Sequence, residues 1–548
     1  MKIVVPFKKH FIVGCFLALS QLVCAQNYSI ILGRPTDKNI TASVLFDANT
    51  NGQIIYGTDS TQLNLQSAII TFAKDTPVEI AIQQLARNTH YYYKLVYRSD
   101  ISKPLMSSPI YQFQTQRDID NAFKFTLESD EHLYDKKGIP EVYKICLENQ
   151  AKDKPDFMLS LGDIFGDDHF PSTITSQQLK DLHAYYRPYL GAICHSIPFY
   201  ICLGNHEGEN DYYMKQNAPN NLCIMGTQWR KFYYPNPFPN EFYSGNATVE
   251  PFGIGNPENY YSWKWGNAEM IVLDVYRNQC DTSSKPKNWS WSLGEDQYNW
   301  LKNVLENSTA KFKFVFAHHV RGQGRGGVTN AKLFEWGGYE QDGTNYTFTK
   351  NRPNFAKPIH QLFKDNGVNI FFQGHDHVFA HEVLDGVTYQ ALPMAADSTY
   401  EIGMLANADA YLSDTISGTG HLRVSVDYDC VRVDFVRTYL PKDTLDGKHK
   451  NGEIAFSYKV GTCLANSLNE AHPENQTIRI YPNPTSQKIT IDSEQAIEKI
   501  QLYSLSGTLV WSGHQQEIEV GNLANGIYYM YIETKLGVYN KKLIIAAE

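Results

Sequence analysis

The chain has 548 residues, 42% hydrophobic and 20% charged, with a formal net charge of −9. That length suits two to four domains, and the composition is that of a folded, soluble protein, which excludes a chain disordered throughout. The acidic balance argues against nucleic acid held by non-specific backbone electrostatics, though not against a locally basic site, so no nucleic-acid-binding scaffold is expected.

Residues 1–25 read as a signal peptide. Lys8, Lys9 and His10 form a basic start, and Phe11 to Val23 is mostly apolar but too short to span a bilayer. Val23-Cys24-Ala25 ends in a small residue, which predicts cleavage after Ala25 and no transmembrane segment. The removed piece holds three lysines and no acid, so the net charge falls from −9 to −12. Seven cysteines remain: Cys146, Cys194, Cys202, Cys223, Cys280, Cys430 and Cys463. Export exposes them to oxidising conditions, and an odd number leaves at least one unpaired. None shows CxxC spacing, so no cysteine metal site is expected.

Residues 27–117 read as a first domain of short β runs. Ile40 to Phe46 alternates, Asn51-Gly52 predicts a hairpin turn before Gln53 to Gly57, and Val78 to Ile82 precedes Leu85 to Tyr93. From about 120 to 440 the pattern changes to strands alternating with helical segments, an α/β layered domain. Helix is expected over Gln297 to Glu306, with Trp300, Leu301, Val304 and Leu305 apolar. Residues 441–475 read as a polar linker. Residues 476–548 show period-two alternation with Gly and Asn turns, a small all-β sandwich.

The α/β part repeats one grammar: an apolar strand, then ligand-type residues. Phe123 to Leu127 ends at Asp130-Glu131-His132, Phe157 to Leu161 at Gly162-Asp163, and Phe199 to Leu203 at Gly204-Asn205-His206-Glu207. Phe312 to Ala317 ends at His318-His319, and Asn369 to Gln373 at Gly374-His375-Asp376-His377. Met270 to Asp274 ends in an acid that reads as structural. Residues two apart in extended chain point to opposite sides, so His375 and His377 could address different metal ions. Ligands at the carboxyl ends of strands converge on one crevice in open α/β sheets. Carboxylate with imidazole suits first-row divalent or trivalent metals. A shared carboxylate would hold two ions about 3.5–4 Å apart, as hydrolytic phosphoryl chemistry uses them.

The series D-x-H, G-D, G-N-H-E, H-H and G-H-D-H resembles that of the calcineurin-like metallophosphoesterases. With Leu85, Thr89 and Tyr91 marking the corner of a fibronectin type III-like sandwich before it, the chain resembles the branch related to purple acid phosphatases. The resemblance implies a four-layer double β-sandwich flanked by helices, preceded by an all-β sandwich. It implies two metal ions (Fe, Mn or Zn), with Asp130, His132 and His377 on the first, Asp163 bridging, and Asn205, His318 and His375 on the second. His206 would be the catalytic, non-ligand histidine facing the scissile phosphate. The purple branch carries a tyrosine ligand three residues after the G-D aspartate and no histidine in its first motif. Here those positions hold Gly166 and His132, so no tyrosinate–iron colour is implied.

Some positions stay open. His319 could replace His318. Glu207 could orient His206 or be a solvated loop acid, and Asp167, Asp168 and His169 read as rim residues. Arg321 and Arg325 stand in a glycine-rich stretch that could present a guanidinium to phosphate or be a mobile surface loop. The end of the chain, from Tyr481-Pro482-Asn483-Pro484 to Lys541-Lys542, resembles the type A sorting domain of the type IX secretion system, which implies secretion machinery as a partner and a secreted or cell-surface location. The reading is an exported phosphoesterase acting on small phosphate monoesters by attack of metal-activated hydroxide. A diesterase or nucleotidase, or a surface binding protein on a degenerate fold, are the competing readings.

Overall fold

Alternation of buried and exposed side chains sets the N-terminal unit. In the computed structural model, which describes residues 28–165, 171–278, 287–320, 324–401, 408–413, 415–463, 479–493, 496–504, 508–534 and 537–546, Tyr28–Gly33, Ile40–Phe46 and Val78–Ile82 form one sheet. Thr50–Gly57 and His90–Arg98, with shorter strands beside them, form a second. Ile30, Leu32, Val44, Tyr56, Tyr93 and Leu95 meet between the sheets, an arrangement that fits a fibronectin type III-like domain. The corner is present: the Ala86 N–H donates to Tyr91 Oη at 2.9 Å. Asn51-Gly52 is not the turn expected of it, because both residues lie inside the strand Thr50–Gly57. A Cβ on Gly52 would come 2.9 Å from Val96 O, so this glycine serves close approach to the neighbouring strand.

The α/β part is built on two sheets. One orders Phe199–Ile201, Phe157–Ser160, Phe123–Glu128, Gly420–Val426, Cys430–Arg437 and Ile454–Gly461; the other is eight-stranded and contains Ala268–Val272, Phe312–Phe316 and Ile370–Gln373 side by side. Their inner faces share an aromatic core that includes Phe125, Phe157, Trp263, Phe314 and Phe372. Helices Pro140–Asp153 and Ser176–Cys194 cover one outer face and Gly294–Asn307 and Ile359–Asp365 the other, giving four layers. The helix predicted over 297–306 buries Gln297, Tyr298, Leu301 and Leu305, while Trp300 and Val304 are half-buried. Three adjacent strands of the first sheet and four of the second run parallel, so their carboxyl ends and the segments after them lie at one edge. Among the described residues no helix is long and apolar enough to cross a membrane.

The predicted linker is corrected in part. Ile454–Gly461 pairs with Cys430–Arg437 as the sixth strand of the first sheet, and a disulfide joins Cys430 to Cys463. An edge strand half in water carries polar residues at alternate positions, which made it read as bridge. Cys146, Cys194, Cys202 and Cys223 are buried free thiols, and Cys280 lies outside the described residues. The described residues between 479 and 546 form a small two-sheet sandwich packed around Ile489, Ile491, Leu502, Met530 and Leu543.

Helix Ser176–Cys194 also docks the N-terminal unit. Buried Arg187 donates to Ser43 Oγ at 3.0 Å, to Ser43 O at 2.9 Å and to Ser29 Oγ at 3.1 Å. On the same helix His183 is buried, donates from Nδ1 to Leu179 O at 2.8 Å, and has its pKa pushed down by burial to about 4. The unfolded chain protonates this residue near pH 6.5, whereas the folded chain does so only near pH 4. Folding stability contributed by neutral His183 is therefore complete above pH 6.5 and is lost as the pH falls toward 4, by about 3 kcal/mol at most. Urea unfolding at pH 7.5 and pH 4.5 is expected to show this loss in the wild type and a smaller one in His183→Gln.

Candidate metal centre

The segments that follow five of the parallel strands bring Asp130, His132, Asp163, His206, His318, His375 and His377 together. Asp130, His132, Asp163, His318, His375 and His377 are all buried. Five of them, all but His318, have backbone φ between 49° and 67°, the left-handed region that costs a residue with a Cβ about 1–2 kcal/mol and concentrates at functional sites. Close packing of the loops is part of the cause. A Cβ on Gly204 would overlap the Asp163 carboxylate, so the glycine of G-N-H-E is what lets the Asn205-His206 loop lie against the Asp163 loop.

Among the described residues, three groups of side chains could each hold a cation: Asp130 with His132 and His377, Asp163 with His318 and His375, and His132 with Asp163 and His206. His132 Nε2 lies 3.1 Å from His377 Nε2, and His375 Nδ1 lies 3.2 Å from His318 Nε2. Metal–nitrogen bonds of about 2.0–2.1 Å at a tetrahedral centre place neighbouring ligand nitrogens about 3.3 Å apart, so both pairs sit close to a coordination edge. Asp130 Oδ1 is 3.4 Å from His377 Nε2, and Asp163 Oδ2 is 3.2 Å from His318 Nε2. Among the described residues, Asp130 Oδ1 and Asn205 Oδ1 are buried oxygens with no hydrogen-bond partner, which is costly unless a cation satisfies them. The donor set fits one or two metal ions.

Partners outside the groups orient the ligands. His318 Nδ1–H donates to Leu161 O at 2.7 Å, which fixes the tautomer and turns the Nε2 lone pair inward. His132 Nδ1 lies 3.3 Å from Asp135 Oδ2 and 3.0 Å from Tyr134 Oη. Asp130 Oδ2 accepts the His375 N–H and Asp163 Oδ1 the His206 N–H, each at 2.8 Å. Burial drives the Asp163 pKa upward, but the charges of His318 and His206 overcome it and hold the carboxyl well below its usual range. Burial lowers His318, and Asp163 and Asp130 overcome that and raise it to about 9.

Of the open positions, His318 rather than His319 enters a group; the His319 ring packs 4.7 Å from that of His375. Glu207 is not a solvated loop acid. It is 2% exposed, and its carboxylate accepts the N–H groups of Asp163, Ile164, Phe165 and Gly204 at 2.6–3.0 Å. This clamp between two ligand loops was not legible in sequence, since backbone donors carry no residue signature. Burial and the Asp163 charge push the Glu207 carboxyl up to about 7. Asp274 is structural, accepting from Asn259 Nδ2 at 2.7 Å and from the backbone of Tyr276 and Arg277. Arg325 is about one-third exposed and donates from Nη1 to His375 O, so part of its fork is committed to the protein. Arg321, Gly166, Asp167, Asp168 and His169 lie outside the described residues. His206 stands at the open side, 15% exposed, with Nε2 3.8 Å from Asp163 Oδ2.

Residues 123–379 match the family model of calcineurin-like phosphoesterases, and residues 479–546 match that of the secretion system C-terminal sorting domain. No curated protein matches the sequence. Among solved structures, PhoD is similar over 79% of this chain and 90% of its own, with a TM-score of 0.56 at 16% identity. The purple acid phosphatase PPD1 from yellow lupin (Lupinus luteus) seeds is similar over 79% of this chain and 74% of its own, with a TM-score of 0.52 at 13% identity. At these identities the likeness is one of fold.

Proposed function

We propose, for a chain whose residues 123–379 are a calcineurin-like phosphoesterase domain and whose residues 479–546 are a type IX secretion sorting domain, that it is an exported hydrolase of phosphate monoesters working with two metal ions. The observation that carries the reading is that the groups Asp130–His132–His377 and Asp163–His318–His375 stand side by side, with His132 of one and Asp163 of the other close enough to fall in a third group, so that one carboxylate could serve two cations. Asp130, His132 and His377 would hold the first ion, Asn205, His318 and His375 the second, and Asp163 would serve both. Nitrogen and oxygen donors without thiolate suit Fe, Mn or Zn. When bound, the two ions supply Lewis acidity toward the phosphate and a nucleophile from water near neutral pH.

The chain's own residues do the rest. Leu161 O and Asp135 hold the imidazoles of His318 and His132 in the tautomers that face inward. Glu207 fixes the spacing between the Asp163 and Asn205-His206 loops. His206, on the open side and off the metals, holds a proton at its ring and passes it to the leaving oxygen. The leader over residues 1–25 and the sorting domain carry the enzyme out of the cell.

The test uses purified chain lacking residues 1–25. Two metal ions per chain by inductively coupled plasma mass spectrometry, with phosphate released faster from monoesters than from diesters assayed beside them, is the expected result. Fewer than one ion per chain favours a binding protein. Faster diester hydrolysis makes the enzyme a diesterase.

A further inference from the structure

Between the two histidines of Gly374-His375-Asp376-His377 stands a side chain the site chemistry does not use. Asp376 is fully buried. Its Oδ2 accepts the Gly326 N–H at 2.8 Å and the Tyr411 hydroxyl, and its Oδ1 lies 3.3 Å from Arg325 Nη1. Tyr411 Oη accepts from Gln373 Nε2 at 2.8 Å, and Arg325 donates to the carbonyl of His375. One network thus joins the residue before the ligand turn, the turn itself, and two segments distant in the chain. The glycine-rich segment is fixed to it: a Cβ on Gly326 would come 2.6 Å from Ala410 O. Glu382 secures the far end, accepting the N–H groups of Val328 at 2.8 Å and Leu412 at 2.6 Å. The described part of this stretch is a pinned rim, not the loose surface loop its glycines suggested.

The turn needs such a hold. His375 and His377 have φ of 67° and 55°, and left-handed residues with side chains persist only where their surroundings over-determine them. The same turn sends His375 to the Asp163–His318 group and His377 to the Asp130–His132 group. The residue between them is placed so that its carboxylate can restrain both.

We propose that Asp376 is a positioning residue for both cation positions, locking the turn by tying it to Arg325, Gly326 and Tyr411. The inference rests on the two-metal reading of the site. Asparagine at 376 keeps the size but puts an amide where an oxygen now accepts, and leaves Arg325 without its anion. Tyr411→Phe removes two bonds of the network, the one given to Asp376 and the one taken from Gln373, and leaves the residues of the turn unchanged.

The test titrates Zn²⁺ calorimetrically into the metal-stripped full chain as wild type, Asp376→Asn, Tyr411→Phe and the double variant. The wild type is expected to take up two ions. Asp376→Asn is expected to weaken Zn²⁺ binding about 10–100-fold, the usual loss on removing an outer-shell partner, and Tyr411→Phe by less. The double variant should be no weaker than Asp376→Asn alone, since coupled residues do not add. Two ions in the wild type with unchanged affinity in Asp376→Asn overturns the positioning role and leaves the two-metal reading standing. Fewer than one ion in the wild type overturns both. Should Asp376→Asn fail to fold, Tyr411→Phe decides, and wild-type affinity there overturns the proposal.

Discussion

Asp163→Ala is expected to empty at least one cation position and to lower phosphate-ester turnover about a thousandfold or more, the equivalent of several kcal/mol of lost charge stabilisation. The reason is its place. Asp163 is 1% exposed and shared by two side-chain groups. Its Oδ2 stands 3.2 Å from His318 Nε2, and its Oδ1 accepts the His206 N–H at 2.8 Å. Alanine removes the anion that both ions would share and leaves buried His318 without the charge that most raises its pKa. The loop itself should hold, because the Asp163, Ile164 and Phe165 N–H groups stay bonded to Glu207. Metal analysis of the purified variant, with thermal unfolding of the metal-free chain beside wild type, separates loss of ions from loss of fold. Two ions retained in Asp163→Ala would remove the shared-carboxylate reading.

The ligand series was legible because each member follows a buried strand. An apolar run ending in glycine and then Asp, Asn or His is visible in one dimension, and parallel pairing brings such ends to one edge. What could not be read is the set of contacts made to backbone. Glu207 gripping four N–H groups, Leu161 O turning His318, and Asp376 holding Gly326 depend on loops that meet only in the folded chain. The division of His375 and His377 between two groups was expected from extended alternation, but both are left-handed; the turn, not a pleat, separates them. Gly52 misled for a related reason. Glycine marks either a turn or a close approach, and composition does not say which. The strand Ile454–Gly461 escaped notice because, at a sheet edge, its pattern is half polar.

His206→Ala is expected to keep both metal ions and to lower turnover of alkyl phosphates about 10²–10⁴-fold, the usual worth of a positioned proton donor. The substitution is clean because the residue contributes through two separate parts. Its backbone N–H holds Asp163 Oδ1 at 2.8 Å, and alanine preserves that bond. Its ring stands at the open side, with centroids 5.5 Å from Tyr134 and 5.3 Å from His132, and only the ring is lost. A proton donor matters most when the leaving oxygen is a strong base. The loss should therefore shrink for a nitrophenyl ester, whose leaving group departs without protonation. The geometry also allows the opposite role, since His206 forms a group with His132 and Asp163. If it were a ligand, His206→Ala would lose an ion and slow both esters equally. Metal content and the ratio of the two turnover numbers, measured on the same preparation, decide between donor and ligand.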